Sequence, residues 1–168
     1  RVSAHPEHFT LLNTPKPDVL NASIKDLEYH VQIFEGMELS EDLAKLVLHI
    51  GGVYENKEKA IERFKNNFIM LPNNIRKRII LENDDKIYTA REVLVICQEL
   101  NIPMVLDIHH HFCNNHGDTL EDILNDIFDT WKDERLVPKI HLSSPKSNKN
   151  LRAHADYIDI DFFYKFLK

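Results

Sequence analysis

The chain has 168 residues, 43% apolar and 29% charged, with a net charge of −6 at neutral pH. That length supports one core burying roughly 70% of the unfolded surface, so one domain, 1–168, is expected, and the acidic balance excludes a binder that relies on many basic side chains against phosphates. No run approaches the roughly 20 apolar residues of a membrane span, no secretory signal pattern opens the chain, and Cys97 and Cys113 fit neither a disulfide framework nor a zinc ribbon, so a cytosolic location without a membrane partner is expected.

Arg1 to Ala4 reads as a short strand running into His5-Pro6-Glu7-His8-Phe9, and Asn13 to Asp18 as a loop. From Ser23, Ile24, Leu27, Val31 and Phe34 recur at helical spacing until Gly36. Leu46 to Leu48 is an apolar strand ending in His49-Ile50-Gly51-Gly52. Ala60, Ile61, Phe64, Phe68 and Leu71 mark a second helix, closed by Pro72. Strand Ile79 to Leu81 delivers Glu82, Asn83, Asp84 and Asp85; Thr89 with Glu92 has capping-box form and starts the next helix. Strand Met104 to Ile108 leads into the His109-His110-His111 run and a polar turn. Thr119 with Asp122 opens a helix whose Ile123, Leu124, Ile127, Phe128 and Trp131 face the core. Pro138 to Leu142 is a fifth strand, Ala155 to Ile158 a sixth, and Asp161 caps a last helix still running at Lys168.

Strands alternating with helices predict an α/β fold with a parallel sheet. At or just past each successive strand end stands a residue able to bind metal: His5, His49, Glu82, Asp107, then His141. In a barrel of parallel strands the carboxyl ends share the face that carries the active site, so these five side chains are expected to converge there. One strand-end histidine is ordinarily a hydrogen-bonded structural residue; five chelating residues in succession point to a metal site. Bound cations would also let an acidic chain act on a phosphodiester. Of His109, His110 and His111, one is a ligand, because neighbours on a strand face opposite ways. Glu82 is best placed to bridge two ions, with Asp84 and Asp85 outside them or in a solvated turn, while His30 and His116 carry no role. Lys139 shares a face with His141 and, beside dications, gives up its proton easily. It could bind phosphate, become a carbamate, or be a plain surface lysine. Ser143 to Arg152 is a polar, basic loop suited to an anion.

The strings SAHPEHF, HIGGVYENK, RFKNNF, LENDDKIYT, the run from Ile102 to Cys113, and KIHLSSPK followed by RAHADYI resemble the ultraviolet damage endonucleases across nearly the whole chain. The resemblance implies a TIM barrel related to endonuclease IV, holding three divalent metals, commonly manganese, with zinc or magnesium as alternatives. It implies that His5, His49 and Glu82 hold one metal, that Glu82, Asp107 and His141 share a second, and that His110 and His154 serve the third. Lys139 then matches a lysine found carboxylated, and Glu82, Lys139 and His110 stand as the catalytic group. His8 and Phe9 occupy the place of a polar and aromatic pair that probes the lesion; where that pair is glutamine and tyrosine, this chain departs at both positions. Lys146 and Arg152 are expected on the DNA. The partner is damaged double-stranded DNA, cut 5′ to pyrimidine dimers, 6-4 photoproducts and abasic sites.

A TIM barrel takes about 250 residues, so an incomplete barrel of about six of the eight βα units is expected, without its opening and closing strands. The chain starts without methionine in a strand and stops inside a helix, as a piece of a longer protein would. Alone it is expected to oligomerise or to cut DNA poorly or not at all. The alternative reading is a metal-dependent sugar isomerase or epimerase of the same barrel type; a third is a catalytically silent interaction module.

Overall fold

Residues 1–166 are described by the structure, a computed structural model of the chain. Five parallel strands lie in sequence order: β1 (Val2–Ala4), β2 (Ala44–Leu48), β3 (Ile79–Glu82), β4 (Met104–Asp107) and β5 (Ile140–His141). The helices between them are α1 (Pro17–Gly36), α2 (Lys57–Met70), α3 (Asn73–Arg76), α4 (Ala90–Leu100), α5 (Ile108–Cys113) and α6 (Leu124–Asp129). This is an incomplete TIM barrel, a half-barrel of five βα units. No helix among the described residues is long and apolar enough to cross a membrane.

Alternation along the strands sorts side chains onto two faces. Leu46, Leu48, Ile79, Leu81, Met104 and Leu106 face outward into one core with Leu27, Val31, Phe34, Phe64, Phe68, Val93 and Cys97 from the helices. Val47, Ile80 and Val105 face inward and pack on Trp131. The same parity carries two residues further along each strand: 47 to His49, 80 to Glu82, 105 to Asp107. The register aligns Asp107 with His141 and Glu82 with Val105, so the inward polar groups end the sheet on one rim.

The sheet is strongly curved. Edge strands four spacings apart would lie about 19 Å from each other if flat, yet Lys139 Nζ beside β5 hydrogen-bonds to Ser3 Oγ on β1. Curvature of this kind lets donors from non-adjacent strands meet.

Helix ends follow local chemistry. Thr89 accepts from the Glu92 N–H while Glu92 accepts from the Thr89 N–H, the expected capping box. Thr89→Ala is expected to cost about 0.5–2 kcal/mol, read from urea unfolding. Elsewhere the structure corrects the expected boundaries. α1 starts at Pro17, six residues before Ser23, because proline suits the first helical position, where its missing N–H costs nothing. Ile108 does not end β4: the Asp107 carboxylate accepts from the His110 N–H and turns His109, His110 and His111 into α5. The helix expected to carry Trp131 ends at Asp129, since Thr130 Oγ1 turns away to accept from the Met104 N–H.

Ala155 to Ile158 is not a strand. The pairing that the chain makes there instead is an antiparallel hairpin, β6 (Pro145–Ser147) with β7 (Asn150–His154), in the segment expected to be a loop. Asp159, not Asp161, caps the last helix, α7 (Ile160–Tyr164), by accepting from the Phe162 N–H. The expected run to Lys168 stops at Tyr164, with residues 167 and 168 outside those described.

Candidate metal centre

Glu82 is the centre of the inward rim. Its side chain is 2% exposed; Oε2 lies 3.0 Å from His5 Nε2 and 3.6 Å from His49 Nε2, and Oε1 lies 2.6 Å from His141 Nδ1. Two donor sets share it: His5, His49 and Glu82, and Glu82, Asp107 and His141, each offering atoms within 4.8 Å of one another. Ligands bound at 2.0–2.1 Å around one cation stand about 3.0–3.4 Å apart. In the first set the His5–Glu82 pair has that spacing and the His49–Glu82 pair, at 3.6 Å, is slightly wider, and imidazole with carboxylate is the donor chemistry of divalent transition ions.

The imidazoles are aimed by backbone carbonyls. His5 Nδ1 donates to Pro6 O, His49 Nδ1 to Glu82 O, and His110 Nδ1 to Asn83 O. A carbonyl only accepts, so each ring carries a proton on Nδ1, which leaves Nε2 of His49 and His110 free to ligate, as outer hydrogen bonds do in metal sites, whereas His5 Nε2 donates to Glu82 Oε2 and would release that proton on binding a cation. The electrostatics agree. Burial alone would raise the Glu82 carboxyl; hydrogen bonds from His141 and His5, with nearby imidazole charge, outweigh it and hold the group well below the usual carboxylate range. His5 is raised by its bond to Glu82, and burial lowers His49 toward the neutral, ligating form. Lys139 is lowered, chiefly by burial and then by Arg1.

His110 and His154, expected at a third metal, lie with ring centroids 5.7 Å apart, and His49 lies 5.6 Å from His110. His109 is buried with both nitrogens engaged, by Ser143 Oγ and Leu151 O, which removes it as a ligand. His111 is buried on α5 and does not join the donor sets. Asp84 is a turn residue: its carboxylate accepts from the N–H groups of Lys86, Ile87 and Tyr88. Asp85 pairs with Arg152 at 2.6 Å, which brings the hairpin over the rim. Lys146 is exposed on β6. His8 and Phe9 stack edge to face at 5.6 Å, and Phe9 is 61% exposed.

The cleft holds about 580 Å³ and is bounded by His5, His8, His49, His110, Arg152 and His154. Sequence reasoning passed over Asn83. Fully buried, it accepts from the Asp107 N–H at 2.9 Å and donates to Asp107 O at 3.0 Å, so its amide continues the β3–β4 pairing and fixes the second donor set. Its place directly after Glu82 was the available signal.

The family model described as UV-endonuclease UvdE matches residues 1–166. The chain belongs to this family. It is 48% identical to the UV DNA damage endonucleases of Bacillus cereus (strain Q1) and Bacillus mycoides (strain KBAB4) over 167 residues, 99% of the chain and 52% of each relative. The chain thus spans about half the length of the curated relatives it matches. The crystal structure of SacUVDE aligns at TM-score 0.90 with 34% identity, over 99% of this chain and 56% of that one. A D-psicose 3-epimerase from Clostridium cellulolyticum H10, solved with D-tagatose, aligns at TM-score 0.61 with 13% identity, over 84% of this chain and 51% of that one. That second likeness carries the barrel architecture only.

Proposed function

We propose that the protein is a metal-dependent DNA repair endonuclease that incises the phosphodiester 5′ to ultraviolet photoproducts and abasic sites, using three divalent ions, manganese by preference. The observation that carries this reading is Glu82, buried and shared between two converging donor sets, of which His5 and His49 line an open cleft. Membership of the UV-endonuclease family supports the substrate.

His5, His49 and Glu82 would hold the first ion, Glu82, Asp107 and His141 the second, and His110 with His154 the third. Together the ions would polarise the scissile phosphate, lower the pKa of a water and neutralise the leaving oxygen. The remaining side chains orient the duplex. Lys139, whose ammonium is weakened by burial and Arg1, either meets a phosphate oxygen or takes up carbon dioxide as a carbamate. Arg152, held by Asp85, and Lys146 present positive charge from the hairpin to the backbone. His8 and Phe9, projecting at the mouth, wedge between bases; damaged duplex is already weakly stacked, so opening it costs less there.

The test is incubation of the whole protein carrying residues 1–168 with manganese and ultraviolet-irradiated duplex. Nicks 5′ to dipyrimidine sites, absent without irradiation and abolished by chelator, are expected. An irradiated duplex left intact with manganese present overturns the reading.

A further inference from the structure

We propose that the carbonyl of Gly52 is a junction that positions the His5–His49–Glu82 donor set, with Asn13 and Tyr88 as its positioning residues. The inference rests on reading that set as a metal centre. The three donors stand at the heads of three successive loops, those following β1, β2 and β3. Those same three loops meet on one oxygen. Gly52 O accepts from Asn13 Nδ2 at 2.6 Å and from the Tyr88 hydroxyl at 3.2 Å. Asn13 belongs to the first loop, Gly52 to the second and Tyr88 to the third, and both donating side chains are fully buried.

Each arm of the junction is anchored. Asn13 O accepts from Arg63 Nε on α2 at 3.0 Å. Tyr88 N donates to the Asp84 carboxylate at 2.9 Å and Tyr88 O accepts from the Asp84 N–H at 3.1 Å, so the ring is tied to the turn two residues past Glu82. Burial pushes the phenol up to about 12, which keeps its proton available to donate. The close approach needs glycine at 51: its φ is +109°, and a Cβ there would stand 2.5 Å from Asn13 Oδ1. Gly51 lies two residues past His49, so whatever fixes this backbone fixes the imidazole's approach to Glu82.

Neither Asn13 nor Tyr88 hydrogen-bonds to a donor residue or lines the cleft. Their effect on a cation therefore passes through loop geometry alone. A metal set loses affinity steeply when its donors are held loosely, and loss of an outer partner that orients a ligand costs about 10–100-fold.

The test is titration of the whole protein with cobalt(II), following its visible absorption, beside urea unfolding of each variant. Tyr88→Phe, which deletes one hydroxyl and leaves the ring, is expected to weaken cobalt binding about tenfold and to alter the band shape. Asn13→Ala should weaken it at least as much, and the double variant by less than the product, since both act on one acceptor. Cys97→Ala, buried behind the sheet away from the three loops, should lower the unfolding midpoint without moving the affinity. A folded Tyr88→Phe that binds cobalt within twofold of the wild type overturns the junction, as does a Cys97→Ala loss of equal size. Tyr88→Phe decides alone if Asn13→Ala does not fold. A wild-type protein that binds no cobalt overturns the metal-centre reading and the junction with it, whereas normal wild-type binding with an unmoved variant overturns only the junction.

Discussion

Glu82→Gln is expected to weaken divalent-metal binding by more than about 100-fold, beyond the cost of losing an outer hydrogen-bond partner, and to abolish DNA incision while leaving the sheet intact. The carboxylate contributes to both donor sets, so one neutral amide removes the shared anion from each. The amide would also set an NH2 donor in place of one of the two oxygens that now face His5 Nε2 at 3.0 Å and His141 Nδ1 at 2.6 Å, and a neutral carbonyl in place of the other. Isothermal titration with manganese reads the affinity, and circular dichroism the fold. A Gln variant that retains wild-type affinity would remove Glu82 from the centre.

The same substitution carries a pH signature in the metal-free protein. The Glu82 carboxyl is held below its ordinary 4.5, so its contribution to stability is complete above that pH and is lost on acidification through the depressed value. His5 is raised above 6.5, so its contribution is complete below that pH and is lost as the pH climbs through the raised value. The stability gap between wild type and Glu82→Gln is therefore expected to be widest between pH 4.5 and 6.5 and to narrow on both sides. Urea midpoints across that range measure it; a gap independent of pH would contradict the ion-pair account.

How much of this was legible before the structure depends on range. The convergence of His5, His49, Glu82, Asp107 and His141 follows from a period of two and a shared rim, both properties of strands, and the structure places all five as the spacing implies. The turn of α5 was misread because Asp107 serves twice. Its carboxylate belongs to a donor set and also caps His110 N, which ends β4 one residue early. Ala155 to Ile158 has strand composition but pairs with no strand among the described residues, whereas the polar Ser147 to Asn150 connection closes a hairpin. Asn13, Asn83 and Tyr88 escaped notice for a different reason. Each acts on backbone atoms 24 to 39 residues away, and nothing in local spacing reports a side chain bonded to a distant carbonyl.

Trp131→Ala is expected to destabilise the protein by about 3–5 kcal/mol, the range for emptying a buried aromatic site. The sequence assigns Trp131 to the core on a helix; the structure puts it past the end of α6 and on the inner face instead. At 3% exposure it fills the space beneath Val47, Ile80 and Val105, and its indole N–H donates to Met104 O at 2.6 Å. Thr130 Oγ1 meets Met104 N from the other side, so one short turn holds both polar groups of the residue that starts β4. The Arg1 guanidinium lies 5.4 Å from the ring, linking the plug to β1. Trp131→Phe separates packing from hydrogen bonding: it keeps most of the apolar volume but leaves a buried carbonyl short of a donor, about 1–3 kcal/mol. Because Val47, Ile80 and Val105 stand two residues below His49, Glu82 and Asp107, a collapse of the plug should also loosen the rim. The alanine variant is therefore expected to lose metal affinity along with stability, and the phenylalanine variant to retain most of it. Urea unfolding followed by circular dichroism measures the stabilities, since the chain has no other tryptophan to report by fluorescence. Equal losses of metal affinity in the two variants would mean that the indole hydrogen bond, rather than the filled floor, supports the centre.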